Sequence, residues 1–212
     1  MNPTDRSEVD GGKSTFASWV ELLRDRSRIL DLGTGEQGGL LLETRGRVIR
    51  VDVQSRLHPN VVADAMALPF NEASFDAILA MSILEHVPRP WVVVREIRRV
   101  LQPGGLVIGY VPFMYPYHAD PSFHDYYRFS DEAIIELFRD FRSVELMNNG
   151  GYTNAMFRFL AGFTASQRHL LRVERFASAF LAGLAKSTGI WESTRVRGLR
   201  RTTTGYNFLV RK

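Results

Sequence analysis

The chain is predicted to be an α/β protein, a mostly parallel seven-stranded sheet with helices on both faces. Two observations predict it. Short apolar runs bounded by turn residues alternate with stretches of helical apolar spacing, the pattern of a parallel sheet covered on both sides. The first of those runs also opens directly into a glycine-rich loop, Gly33-Thr34-Gly35-Glu36-Gln37-Gly38, as the first βα turn of a nucleotide-binding sheet does.

The elements follow in order. Phe16, Trp19, Val20, Leu22 and Leu23 recur at helical spacing and predict an amphipathic helix after a polar tail over 1–13. Arg28 to Leu32 reads as strand one, Arg47 to Val51 as strand two, Val61 to Ala63 as a short strand three and Phe75 to Ala80 as strand four. Trp91 to Leu101 has helical periodicity and is stopped by Pro103-Gly104-Gly105. Leu106 to Val111 is strand five, about Asp131 to Phe138 a helix, Ser143 to Met147 strand six, and Thr204 to Val210 the last strand. The predicted organisation is one domain over 1–212, with a core at 27–150, a basic helical insertion or lid at 151–203 and the closing strand at 204–212.

Composition narrows the function. The 212 residues are 45% apolar and 24% charged, enough to bury a core. There is no cysteine, which excludes disulfides, thiolate metal sites and cysteine nucleophiles. The first residues lack an apolar leader, and no run reaches the roughly 18 apolar residues of a membrane span, so the expectation is a cytoplasmic protein. Charge is unevenly spread. Residues 151–212 carry 11 Lys/Arg against 2 Asp/Glu, a net of +9, whereas residues 1–150 carry 16 against 21, a net of −5. Within 152–190, Leu170, Val173, Phe176, Phe180, Leu181 and Leu184 stand against Arg168, Arg172, Arg175 and Lys186. That basic amphipathic stretch suits a lid on the domain or peripheral contact with an anionic membrane.

Asp52, at the end of strand two, suits a carboxylate accepting hydrogen bonds from both hydroxyls of a ribose. Together with the glycine loop it points to an adenosine-type cofactor. Asp31, two residues before the first glycine, discriminates between candidates. A carboxylate there repels the pyrophosphate of a dinucleotide but favours the ammonium and sulfonium of S-adenosylmethionine.

The motifs Asp31-Leu32-Gly33-Thr34-Gly35, Val51-Asp52, Ala63-Asp64-Ala65-Met66-Ala67-Leu68-Pro69-Phe70, Phe75-Asp76-Ala77-Ile78 with Leu84-Glu85-His86-Val87, and Leu101-Gln102-Pro103-Gly104-Gly105 stand in this order over about 27–130. They resemble class I S-adenosylmethionine-dependent methyltransferases, within them the group called methyltransferase type 11, and imply that family's Rossmann-like fold. The resemblance implies that Gly33, Thr34 and Gly35, with Asp31, approach the methionine part of the cofactor. It further implies that Asp52 and Val53 meet the ribose, Asp64 and Ala65 the adenine, and Met81 and Ser82 the methyl-donor side. His86, Leu68, Pro69 and Phe70 are read as packing and turn residues. Arg50 departs from the pattern and suggests an open sheet edge.

Seven aromatics and two histidines crowd residues 112–129, just past strand five. In open α/β sheets the functional crevice lies beyond the carboxyl ends of the strands, so this loop is expected to carry the acceptor. His124 is the first candidate general base, since imidazole is the side chain whose ordinary titration lies nearest neutrality. His118 is the second, and Asp125 or Asp120 would orient the base. Tyr115, Tyr117, Tyr126 and Tyr127 would wall the acceptor, and Arg128 would hold an anionic group or anchor the loop. The spacing of His118, Asp120, His124 and Asp125 matches no metal template, and none is expected. The expected reaction is methyl transfer to an oxygen or nitrogen of a small molecule or a glycan or cell-envelope precursor. The rivals are an RNA methyltransferase, weakened by the absence of an Asn-Pro-Pro-Tyr-type site after strand four, and a non-catalytic S-adenosylmethionine-binding domain.

Overall fold

Register in the central sheet runs Arg28↔Arg47 through Leu32↔Val51 between β1 (Arg28–Leu32) and β2 (Arg47–Asp52), and Ile29↔Ala77 through Asp31↔Leu79 between β1 and β4 (Phe75–Met81). The computed structural model describes residues 15–33, 35, 44–119, 121–151, 155 and 203–212. With β3 (Val61–Val62), β5 (Leu101–Pro112), β6 (Ser143–Asn148) and β7 (Gly205–Arg211), the strands order as β3-β2-β1-β4-β5-β7-β6. β7 is antiparallel to both its neighbours and the remaining pairings are parallel. The predicted fold is therefore present.

Alternation along the strands divides the core in two, because successive side chains leave a strand on opposite faces. Leu30, Leu32, Ile78, Ala80 and Val107 face a large cluster closed by Val93, Val94 and Ile97 of α2 (Pro90–Val100) and by Ile134 of α3 (Asp131–Leu137). Ile29, Ala77, Leu79, Leu106, Ile108 and Leu209 face the other way, onto Trp19 of α1 (Phe16–Glu21) and Leu23 just beyond it. Thr15 caps α1 by accepting from the Ser18 N–H at 3.2 Å, and Ser130 caps α3 through Ala133. Asp76 accepts from the N–H groups of Ser27 and Arg28 at 2.7 and 3.0 Å, fixing where β1 begins beside β4.

One expectation changes in detail. Pro103-Gly104-Gly105 ends the helix region but does not separate it from the strand: β5 begins at Leu101. Register slips from Phe75↔Leu101 to Ala77↔Leu106, so the intervening residues bulge outward. Proline lacks the donor a continuous ladder requires, and a bulge accommodates it. The short β3 meets only Val51 and Asp52 of β2, leaving Arg50 on an exposed stretch of edge, as its charge suggests.

The tail over 1–13, Thr34, Gly38, Asp120 and the basic stretch with Arg168, Arg172, Arg175 and Lys186 lie outside the described residues. Among the described residues no helix is long and apolar enough to cross a membrane.

Gly109 shows how closely β5 and β7 approach. A Cβ there would fall 2.1 Å from Phe208 Cζ and 2.5 Å from the backbone oxygen of Ala80. Gly109→Ala is expected to destabilise the protein by about 1–3 kcal/mol, the usual cost of overpacking. Urea denaturation checks this through a lowered midpoint at unchanged slope.

Candidate functional site

Strand ends create the site. The chain leaves β1, β2, β3 and β4 on the same edge, and the loop after β5 folds back over that edge. The result is a cavity of about 420 Å³, within the range of small-molecule sites. One wall comes from Gly33 and Gly35 after β1, Asp52 and Val53 after β2, and Asp64 and Ala65 after β3. Ser82, Ile83 and His86 after β4, with Phe123 and His124 of the long loop, form the rest of the lining as a second wall.

Each part of the first wall has a local cause. Gly33 has φ +73°, and a Cβ on it would lie 2.7 Å from Ile83 Cδ1. Glycine is thus required both by the turn and by the close approach of the β4 turn. Its N–H donates to the Val51 carbonyl at 2.8 Å, drawing the loop against β2. Asp52 is 9% exposed; one carboxylate oxygen accepts from the Gln54 N–H at 2.9 Å and the other from the Gly35 N–H at 3.4 Å. A carboxylate has about four acceptor sites, so capacity remains for hydroxyls of a ligand. Asp64 accepts from the Met66 N–H at 2.8 Å. The turn after it is clamped from α2: Glu96 accepts from Leu68 N–H, and Arg99 donates to the carbonyls of Leu68 and Phe70. Leu68 is buried, and Phe70 packs edge-on against Phe75, as turn and core residues do.

Asp31 is 4% exposed, and its carboxyl is pushed up to about 6, first by burial, with Arg50 across the strand pair pulling it down and Asp52 pushing it up. It sits behind Leu32 and Gly33 and is not among the cavity-lining side chains. Met81 likewise stays in the sheet, paired with Tyr110, while Ser82 reaches the cavity. Ser82 has φ +53°, a left-handed backbone that costs a non-glycine residue about 1–3 kcal/mol. Its N–H is held by the Tyr110 carbonyl at 3.0 Å.

The second wall depends on contacts between distant segments. The turn Leu84–His86 joins the long loop by two hydrogen bonds: the Tyr126 N–H donates to the Glu85 carbonyl at 2.8 Å, and His86 Nδ1 lies 2.5 Å from the His124 carbonyl. A carbonyl only accepts, so His86 Nδ1 carries the proton and Nε2 the lone pair. Burial holds the His86 pKa below the ordinary histidine value. Read from the sequence as a packing residue, His86 also forms part of the cavity wall; its place after β4 in Leu84-Glu85-His86-Val87 is the signal that could have found it.

The loop residues separate into two groups. His124 lines the cavity, with its ring 5.4 Å from that of Tyr126. Asp125, expected to orient the base, and Arg128, expected to hold an anionic group or anchor the loop, bind each other. Arg128 holds both Asp125 oxygens and donates to the carbonyls of Tyr115 at 2.9 Å, Pro116 at 2.8 Å and Tyr127 at 2.7 Å. All five guanidinium donors are engaged within the loop, which leaves none for a substrate anion. The Asp125 side chain is 0% exposed, and its second oxygen also accepts from the His118 N–H at 2.8 Å. Arg128 holds its carboxyl down at about 2. The pair is therefore a loop anchor, because a fully buried carboxylate needs a partner that remains ionised.

His118 lies behind the wall, its Nδ1 3.2 Å from both Asp125 and the Pro116 carbonyl. Tyr115 stacks edge-on against His118, and the Tyr127 hydroxyl donates to the Pro88 carbonyl at 2.9 Å. Tyr117 and Tyr126 are exposed, and none of these four tyrosines lines the cavity among the described residues.

These residues fit an adenosine-bearing cation such as S-adenosylmethionine. A glycine turn that a Cβ would close, a carboxylate at the end of β2, a second acidic turn and the apolar residues Leu32, Val51 and Leu57 meet in one cavity.

Residues 30–109 match the family model of the methyltransferase domain. Over 111 residues the chain is 47% identical to an uncharacterized methyltransferase of Mycobacterium avium, covering 52% of this chain and 40% of that protein. Over 59 residues it is 46% identical to the 27-O-demethylrifamycin SV methyltransferase of Amycolatopsis mediterranei, covering 28% of this chain and 21% of that one. The chain thus spans less than half the length of these curated relatives. Among solved structures, a SAM-dependent methyltransferase from Archaeoglobus fulgidus superposes with a TM-score of 0.59 at 16% identity, over 92% of this chain and 90% of that one.

Proposed function

We propose, on the premise that residues 30–109 of this chain belong to the methyltransferase-domain family, that the protein transfers a methyl group from S-adenosylmethionine to an oxygen or nitrogen of a small molecule or a glycan or cell-envelope precursor. The observation that carries this reading is the junction of the two walls. Gly33, Asp52 and Asp64 suit the donor, and His124 and Phe123 line the same cavity.

When bound, S-adenosylmethionine supplies an electrophilic methyl on a sulfonium whose departing thioether is neutral. The protein therefore needs mainly to align the acceptor and receive its proton. Asp52 would orient the ribose, the backbone at Gly33 and Gly35 would accommodate the methionine part, and Asp64 with Ala65 would meet the adenine. Phe123 and Ile83 exclude water beside the reacting atoms. His124 takes the acceptor proton. The name of the Amycolatopsis relative, a methyltransferase acting on 27-O-demethylrifamycin SV, supports an oxygen of a small molecule over RNA.

The test is calorimetry with S-adenosylmethionine. The parent should bind it in preference to NAD, and Asp52→Ala should lose on the order of 1.5–3 kcal/mol, typical of removing a charged hydrogen-bond partner. Unchanged affinity in a folded Asp52→Ala protein, or a preference for NAD, contradicts the reading. Binding without turnover across hydroxyl and amine acceptors would favour the sensor alternative.

A further inference from the structure

We propose that Glu85, His86 and His118 form a binding site for a divalent first-row transition ion such as Zn²⁺, Mn²⁺ or Fe²⁺, at the acceptor side of the cavity. A carboxyl oxygen of Glu85 and one ring nitrogen each from His86 and His118 lie within 4.8 Å of one another. The two imidazole rings are 5.0 Å apart at their centroids and nearly perpendicular, at 79°. Two histidines and one carboxylate are a donor set suited to such ions, and small side-chain rotations bring ligand atoms at this spacing to bonding distance.

Three further observations bear on this cluster. Glu85 is 1% exposed, and among the described residues its Oε2 is the buried side-chain oxygen with no hydrogen-bond partner. A buried acceptor without a partner is costly, and a cation would satisfy it. The outer nitrogens of both histidines are already engaged: His86 Nδ1 by the His124 carbonyl, His118 Nδ1 by the Asp125 carboxylate and the Pro116 carbonyl. Metal-bound histidines are ordinarily held this way, the outer N–H on a carbonyl or carboxylate and the inner nitrogen on the ion. For His86 that leaves Nε2 as the ligand, which stands 3.7 Å from Glu85 Oε1. Finally, the charge near the site is balanced: Arg128, whose guanidinium comes within 3.3 Å of His118 Nδ1, is neutralised by Asp125.

The ion would be reached from the cavity, which His86 lines. With three protein ligands it keeps open positions, and an acceptor hydroxyl bound there would ionise more readily. The site stands whether or not the transfer reading holds, so its test reads metal binding and not turnover.

The full chain, stripped with a chelator, is titrated with Co²⁺ followed by visible absorption, and with Zn²⁺ by calorimetry. One ion per chain is expected, with a rise in thermal midpoint on binding. Glu85→Gln and His118→Ala should each weaken binding at least about tenfold, while His124→Ala, which keeps its backbone carbonyl, should not. His118 is on the loop, its side chain 30% exposed, so its alanine variant carries the test if Glu85→Gln fails to fold. Absence of saturable binding, or an affinity unchanged in His118→Ala, overturns the proposal.

Discussion

On the proposed reaction, replacing His124 by alanine is expected to slow methyl transfer by about 10²–10⁴-fold, the usual contribution of a general base, while barely changing the affinity for S-adenosylmethionine. The selectivity follows from how this residue is held. Its carbonyl is pinned by His86 Nδ1 and the next N–H but one, that of Tyr126, by the Glu85 carbonyl. Alanine preserves both bonds, so the loop stays in place. The imidazole alone is removed, and it is none of the glycine-turn and acidic groups assigned to the cofactor. Single-turnover rates across pH make the test: the parent should show a limb governed by the base, and His124→Ala should lose it. A variant with the parent rate and profile leaves His124 as a wall residue, and if His118→Ala also keeps them, the enzyme works by alignment alone.

Removing the Asp125 carboxylate should destabilise the protein by about 3–5 kcal/mol, the range for breaking a buried ion pair on one side. The loss is large because Arg128 would keep its charge without its partner while still spanning the carbonyls of Tyr115, Pro116 and Tyr127. The same pair sets an acid limit. Asp125 has its carboxyl depressed from 3.8 to about 2, so its ionised form favours the folded state. That contribution, roughly 2 kcal/mol, is complete above the unfolded value and is lost as pH falls from about 4 through 2. Thermal midpoints of the parent should therefore drop over this window, and those of Asp125→Asn should start lower and drop less. Parallel curves for the two proteins would show that the pair has no such role.

Most of the fold was legible because its causes are local in the chain. Apolar alternation in Arg28–Leu32 and Phe75–Met81, and helical spacing in Pro90–Val100, state the element type within a few residues. Strand ends then assemble on one edge by topology alone, which is why Gly33, Gly35, Asp52, Asp64, Ala65 and Ser82 line one cavity. The loop after β5 was different. It has no period, so residue type announced chemistry there without saying who would meet whom.

What the sequence by itself determined is thus the parallel core, the glycine turn and the acidic strand ends, since each arises from backbone sterics and side-chain pattern over short distances. Tertiary structure alone decided the rest. It spent Asp125 and Arg128 on each other, because the loop buries that carboxylate completely and a buried charge must be paired. It also drew His86 to the carbonyl of His124, 38 residues away, and left Glu85 buried beside two histidines, through long-range closure that no local pattern encodes.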